Sequence, residues 1–185
     1  MTQARLTSVA HSALSAVLRP GDCAVDATLG NGHDALFMAR CVAPGGRVIG
    51  FDVQEAALAA TRRSADAAGL GTLLELHQCG HESMARVLGP ALVGRVAAAT
   101  FNLGYLPGGD KSVVTRPETT IAALEQARTL LRPGGLVSLL VYRGHAGAAA
   151  EVEAIDDWLA GLDPGWRVTR HDSPGPVLYL VDRRS

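Results

Sequence analysis

Apolar and polar positions along the chain repeat with two different periods, and the switches between them mark the elements. Leu6, Val9, Ala10, Ala13, Leu14, Val17 and Leu18 recur at helical spacing and predict an amphipathic helix within residues 1–19, closed by Pro20-Gly21. The apolar run CAVDATL then predicts a strand, GNGHD a glycine-rich turn, and ALFMARCVA a helix ended by PGG. RVIGFD, TLLELHQ, VAAATFN and LVSLLVY predict four more strands, with helices at QEAALAATRRSADAAG and HESMARVLG between them. Thr115 to Glu118 spells T-R-P-E, a capping box that opens a helix with Ile121, Leu124, Ala127 and Leu131 on one face and RPGG at its end. AAAEVEAIDDWLAGL predicts the last helix, and SPGP joins two final strands, WRVTRHD and VLYLVDR.

Strand and helix alternate five times before two strands come in succession. Alternation predicts a parallel sheet with helices on both faces, and the short final link permits only an antiparallel pair. The expected fold is therefore α/β: a seven-stranded, mostly parallel sheet with an antiparallel last strand, the Rossmann-like layout of the class I methyltransferases. Residues 1–185 read as a single domain, with an N-terminal helix at 1–19 and a long loop at 103–116.

Composition narrows the function classes. Hydrophobic residues make up 48% of the chain and charged residues 19%, which excludes a disordered polypeptide. A formal net charge of −1 provides no global basic field, so any nucleic-acid binding rests on a local patch. All but Lys111 of the seventeen basic residues are arginine. Cys23, Cys41 and Cys79 form no C-x-x-C pair, which fits a reducing cytoplasm. No apolar run reaches the ~18 residues of a membrane span, and the N-terminus has no signal-peptide pattern.

The first glycine turn is the first candidate for chemistry. Gly30-Asn31-Gly32 permits a sharp turn and close approach of a ligand, and the next helix offers unpaired N–H groups. Asp52 ends the second strand about 20 residues after the turn, where an acid can accept from both hydroxyls of a ribose. Gln54 is within reach of the same sugar or its base. Gly30, Gly32 and Ala35 also satisfy the loose dinucleotide fingerprint. A dinucleotide would bring a pyrophosphate to the helix N-terminus. S-adenosylmethionine has an amine and a carboxylate instead. Asp26 in the first strand can meet the amine, directly or through water, and Asn31 the carboxylate, which favours the sulfonium cofactor.

The second candidate is FNLGYLPGGDK, Phe101 to Lys111. Asn102 closes the fourth strand, and ligands of such sheets gather at the carboxyl ends of the strands. Asn-Leu-Gly-Tyr resembles the Asn-Pro-Pro-Tyr loop of amino-group methyltransferases. There the Asn oxygen and a backbone carbonyl accept hydrogen bonds from the target nitrogen and the aromatic ring, here Tyr105, stacks on the base. Methyl transfer to an amine needs a neutral nitrogen aimed at the methyl carbon. Asp110, His145 and Tyr142 are candidates to accept its proton, and the sequence does not choose among them.

GNGHD, FDVQ, GHE, FNLGYLPGGDK, TRPETTIAAL and VYRGHAG occur in order from Asp26 to Gly147. Together they closely resemble the MnmM/YtqB family, also catalogued as rRNA methylases, over about two thirds of the chain. The resemblance implies methylation of the aminomethyl group of 5-aminomethyl-2-thiouridine at the tRNA wobble position. It implies S-adenosylmethionine contacts at Asn31, His33, Asp52, Gln54 and His81, and an RNA-facing role for the loop from Tyr105 to Thr115. A homodimer is compatible with the Ala-rich helices, as the resemblance suggests.

His77, Cys79 and His81 spell H-x-C-x-H, but no fourth ligand is evident and no metal is expected. His81 with Glu82 better suits the adenine side of a cofactor pocket. Lys111, Arg116, Arg143 and His145 fall at one edge of the sheet and read as a phosphate-binding rim for the anticodon stem-loop. Two rival functions are an rRNA methyltransferase, with the same cofactor and another acceptor, and a nicotinamide-dependent oxidoreductase resting on the G-x-G-x-x-A match. A third is a cofactor-binding module without catalysis.

Overall fold

The computed structural model describes residues 3–104, 114–144 and 147–185. In chain order the elements are α1 (Gln3–Val17), β1 (Cys23–Asp26), α2 (His33–Val42), β2 (Arg47–Asp52), α3 (Glu55–Ala67), β3 (Leu74–Gln78), α4 (Met84–Leu88), β4 (Val96–Leu103), α5 (Pro117–Leu130), β5 (Leu131–Val141), α6 (Ala148–Ala160), β6 (Trp166–Asp172) and β7 (Val177–Arg183). Single turns of 3-10 helix lie at Gly71–Leu73, His81–Ser83 and Pro90–Leu92. Among the described residues, no helix is long and apolar enough to cross a membrane.

The strands form a seven-stranded sheet in the order β3-β2-β1-β4-β5-β7-β6. Neighbours from β3 to β5 run parallel, while β7 lies antiparallel to both β5 and β6. The order reverses between β1 and β4, and the crevice outside the carboxyl ends at that reversal is where such sheets bind ligands.

Two-residue alternation along the strands builds two cores. Phe51, Phe101, Leu103, Val137, Leu139 and Tyr179 face α4, α5 and α6, contributed by Met84, Leu124, Leu130 and Ile155. Ala24, Val48, Ala98, Leu136 and Leu140 face α1 and α2, contributed by Leu6, Leu14, Met38 and Val42. The same alternation puts Asp26, Thr100 and Asn102 on the α2 side, where the site is built. At the far edge β6 is almost wholly exposed, and its arginines are paired: Arg167 with Asp182, Arg170 with Asp172 and Asp156. Charge along an edge strand discourages pairing with another sheet.

Two local expectations are corrected. The capping box does not form: α5 has Arg116 as its N-cap with no side-chain cap bond, and Pro117 is its first residue. Thr115 instead donates its hydroxyl to the Glu151 carboxylate at 2.8 Å, a charge-assisted bond that outcompetes a neutral cap. RPGG does not separate helix from strand either. β5 begins at Leu131 and runs through it, with a register shift against β4 between Val96 and Ala98 that absorbs the extra residues.

Candidate functional site

A cleft of about 670 Å³ opens over the carboxyl ends of β1, β2 and β4, within the size range of small-molecule sites. Its walls include Gly30, Asn31 and His33 from the first turn, Asp52 and Gln54 from the end of β2, His81 beyond β3, Asn102 and Gly104 from β4, and Thr115, Arg116 and Tyr142 opposite. Residues separated by more than a hundred positions in sequence thus share one concavity.

The first turn is held by its own backbone and by Asp52. Ala27 N–H donates to Thr100 O and Leu29 N–H to Phe51 O, both at 2.9 Å, which extends β1 between its neighbours. Asp52 Oδ2 accepts from Gly30 N–H and Oδ1 from Gln54 N–H, each at 2.9 Å. Each carboxylate oxygen keeps a further lone pair, so a rigidly aimed acceptor for vicinal hydroxyls remains at the cleft.

Gly32 has a different task from the one expected. It is buried, adopts φ 76° as the N-cap of α2, and is not a wall residue. A Cβ there would stand 2.4 Å from Thr61 Oγ1. Its missing side chain therefore admits α3, not a ligand.

Asp26 is also placed differently. It is 1% exposed and lies beneath the cleft instead of on its wall. Burial, then the negative Asp34, pushes its pKa up to about 8, so it is largely protonated at neutral pH. Oδ1 accepts from Thr28 N–H at 3.3 Å. Among the described residues, Oδ2 and the hydroxyl of Thr100, its register partner on β4, have no further hydrogen-bond partner. The Thr100 hydroxyl, itself a donor, works against the upward shift without cancelling it.

Asp34 is the negative member of the two carboxyl groups. Burial raises its pKa, but hydrogen bonds from His11 and Asn102 and the charge of His11 outweigh it and hold the group below the usual carboxylate range. Asp34 Oδ1 meets His11 Nε2 at 2.6 Å, and Oδ2 accepts from Asn102 Nδ2 at 2.7 Å. Asn102 N–H donates to Thr28 Oγ1 at 2.6 Å. His11, Thr28 and Asp34 were not singled out in the sequence. The signal for Asp34 lay in GNGHD, whose last residue falls in the first turn of α2 on the β4 side.

His81 is 7% exposed at the cleft wall. Burial lowers its pKa against the raising influence of Glu82 and of a hydrogen bond to the Ala27 backbone, so the ring is neutral at pH 7. Its Nε2 has no hydrogen-bond partner among the described residues. His77 turns instead to Glu75 at 2.7 Å and stacks on Phe51. Among the described residues, no His, Cys, Asp or Glu cluster has metal-binding geometry.

Of the expected RNA rim, Arg116 is exposed at the cleft mouth. Arg143 lies off the wall and is half-committed, its guanidinium 2.7 Å from Asp172. Tyr105, Asp110, Lys111 and His145 lie outside the described residues. The base of their loop is described: Thr115 N–H donates to Gly104 O at 3.0 Å, and Tyr142 N–H to Leu103 O at 2.9 Å. Glu151, fully buried on α6, accepts from the hydroxyls of Thr115 and Thr120 and fixes the return of the chain into α5.

Comparison with known proteins gives four likenesses. Residues 48–174 match the model of the family described as "Putative rRNA methylase". Over 167 residues the chain is 39% identical to the tRNA (mnm(5)s(2)U34)-methyltransferase, chloroplastic, of Arabidopsis thaliana. That stretch is 85% of this chain, which spans 60% of the length of this curated relative. Among solved structures, the chain is 37% identical to a "putative rRNA-methylase" from Clostridium thermocellum, with a TM-score of 0.90 over 96% of both chains. It is 30% identical to a "putative methyltransferase" from Streptococcus mutans in complex with SAH, with a TM-score of 0.86 over 99% of both. The fold is that of the class I methyltransferases.

Proposed function

Because the chain belongs to the family described as "Putative rRNA methylase", the MnmM/YtqB family whose motifs it carries, we propose that it is an S-adenosylmethionine-dependent N-methyltransferase. Its acceptor is the aminomethyl group of 5-aminomethyl-2-thiouridine at the tRNA wobble position. The observation that carries the acceptor class is the orientation of Asn102: with Nδ2 given to Asp34, the carboxamide oxygen is the atom left for the cleft.

The donor set fits the cofactor. Asp52 is aimed to accept from ribose hydroxyls, and Gln54 stands beside it. The orphaned Nε2 of neutral His81 offers a hydrogen-bonding atom on the adenine side. Asn31 and His33 flank the amino-acid end. When bound, the cofactor supplies an electrophilic methyl group on sulfur.

The chain's own residues do the rest. Asn102 Oδ1 accepts a hydrogen bond from the acceptor amine and so turns the nitrogen lone pair toward the methyl carbon, which converts a bimolecular displacement into an oriented one. Tyr142, held next to the end of β4 by its N–H bond to Leu103 O, limits water around the nitrogen and favours its neutral form. Arg116 and Thr115 at the mouth, with Tyr105 and Lys111 from the loop before them and Arg143 and His145 after β5, meet the anticodon stem-loop.

The dinucleotide reading fares worse. A pyrophosphate would need the first turn of α2, and there Asp34 holds a negative carboxylate directed at Asn102. Nucleoside mass spectrometry of tRNA from cells lacking this protein tests the proposal. Accumulation of the unmethylated aminomethyl nucleoside is expected; an unchanged wobble nucleoside with a missing methyl in rRNA would favour the ribosomal alternative.

A further inference from the structure

We propose that Asp34, backed by His11, is a positioning residue that locks Asn102 with its carboxamide oxygen toward the cleft, so that the site admits acceptors that bring a hydrogen to that oxygen. The inference deepens the methyltransferase reading and rests on it for its consequence in turnover, though not for its geometry.

An asparagine amide has two nearly isosteric ends, one donating and one accepting. Left alone it samples both orientations and would present an NH₂ group to the acceptor amine for part of the time. A carboxylate only accepts. With Asp34 Oδ2 at 2.7 Å, the end facing it must be Nδ2; the flipped amide would set two oxygens against each other at that distance. Asp34 is itself fixed. Its other oxygen meets His11 Nε2 at 2.6 Å, and the His11 ring stacks on Phe37 with centroids 3.9 Å apart and planes 7° from parallel. The backbone of Asn102 is pinned as well, through its N–H to Thr28 Oγ1. Two helices and the turn after β1 thus converge on one amide carried by β4.

The lock works only while Asp34 is negative. The groups that face it are His11 from α1, Asn102 from β4, Asp26 from β1 and His33 on its own helix. Asp26 keeps a proton, which leaves the charge on Asp34. Protonated, Asp34 could donate to Oδ1 and turn the amide round. The oriented oxygen selects a primary or secondary amine, or a hydroxyl, over a nitrogen or carbon carrying no hydrogen to donate.

Two readouts test this on the full-length protein. The first is independent of activity: the Asn102 side-chain amide signals in ¹H–¹⁵N spectra, assigned by their loss in Asn102→Ala. One amide proton should be displaced downfield and slow to exchange, and both features should vanish in the isosteric Asp34→Asn. The second is a double-mutant cycle on methyl transfer. Asp34→Asn should lower kcat by roughly 30–100-fold, yet cost less than about twofold in the Asn102→Ala background, because it acts through that side chain. His11→Gln, which keeps a nitrogen donor at the position of Nε2, should retain more turnover than His11→Ala. An amide signal indifferent to Asp34→Asn, or additive losses in the double variant, overturns the proposal. Absence of any methyl transfer by the wild-type protein would instead sink the functional reading, and the amide signals alone would then decide the positioning.

Discussion

Asp34 and Asn102 lie 68 positions apart in sequence and 2.7 Å apart in space, an α2 carboxylate accepting from a β4 carboxamide in the wall of the cleft. Neither residue needs the other for its own element. Their meeting follows from β1 and β4 being sheet neighbours and from the parity that turns Asn102 toward α2.

Removing the carboxamide should therefore hurt turnover far more than cofactor binding. Asn102→Ala is expected to lower kcat by about 100-fold or more, in the range found for loss of one oriented polar group at a reacting centre. S-adenosylhomocysteine affinity, measured by titration calorimetry, should stay within about threefold. Equal losses in both quantities would place Asn102 in cofactor binding.

Gly32 sets the geometry of the first turn without touching the ligand. Gly32→Ala adds a Cβ at φ 76° and 2.4 Å from Thr61 Oγ1. Backbone strain and overpacking together are expected to cost about 2–5 kcal/mol of stability. Urea unfolding would show it, and Thr61→Ala in the same chain should return part of the loss.

Asp26 makes stability depend on pH in a definite direction. Its pKa is raised from 3.8 to about 8 in the folded protein, first by burial and then by Asp34, so the native state holds a proton that the unfolded chain releases. This contribution is fully present below about pH 4 and is lost as pH rises toward 8. The difference in unfolding free energy between wild type and Asp26→Asn isolates it from other titrating groups. The variant should gain on the wild type across that window, by on the order of a few kcal/mol at its upper end. Parallel curves would mean that Asp26 is charged in the folded state.

Glu151 ties the loop's return to α6. Glu151→Ala strands the hydroxyls of Thr115 and Thr120, the latter wholly buried, and should destabilise the protein by about 3 kcal/mol. Glu151→Gln keeps an acceptor and should lose distinctly less. Chemical denaturation of both variants checks the order.

At the proposed RNA rim, Arg116 is exposed and Arg143 is shared with Asp172. Arg116→Ala should weaken tRNA binding several-fold and reduce the slope of log affinity against log salt by about 1. Asp172→Asn, which releases Arg143, should strengthen binding. A salt slope unaffected by either change would move the RNA path to another face.

Much of this organisation was legible in the chain. The two apolar periods located every strand of the sheet, and the rule that ligands gather at strand ends picked out Asn31, Asp52, Gln54 and Asn102 as wall residues. Local spacing misled where a distant group competed: Thr115 reads as a cap until Glu151, 36 residues on, takes its hydroxyl. Asp26 reads as a ligand acid until the depth of β1 is known, because burial is a property of the assembled layers. His11 carries no motif, and its partner lies 23 residues away on another helix. Gly32 was correctly read as a turn glycine, but the surface it makes room for belongs to α3.

The central claim is that the cleft delivers a methyl group to an exocyclic amine held by Asn102. The most direct measurement is incubation of the purified protein with methyl-labelled S-adenosylmethionine and tRNA bearing 5-aminomethyl-2-thiouridine, followed by digestion and mass spectrometry of the wobble nucleoside. Label on the aminomethyl nitrogen, with its rate of entry cut about 100-fold or more by Asn102→Ala, is the predicted result. Label on a ring atom, on another RNA, or undiminished in the variant would contradict it.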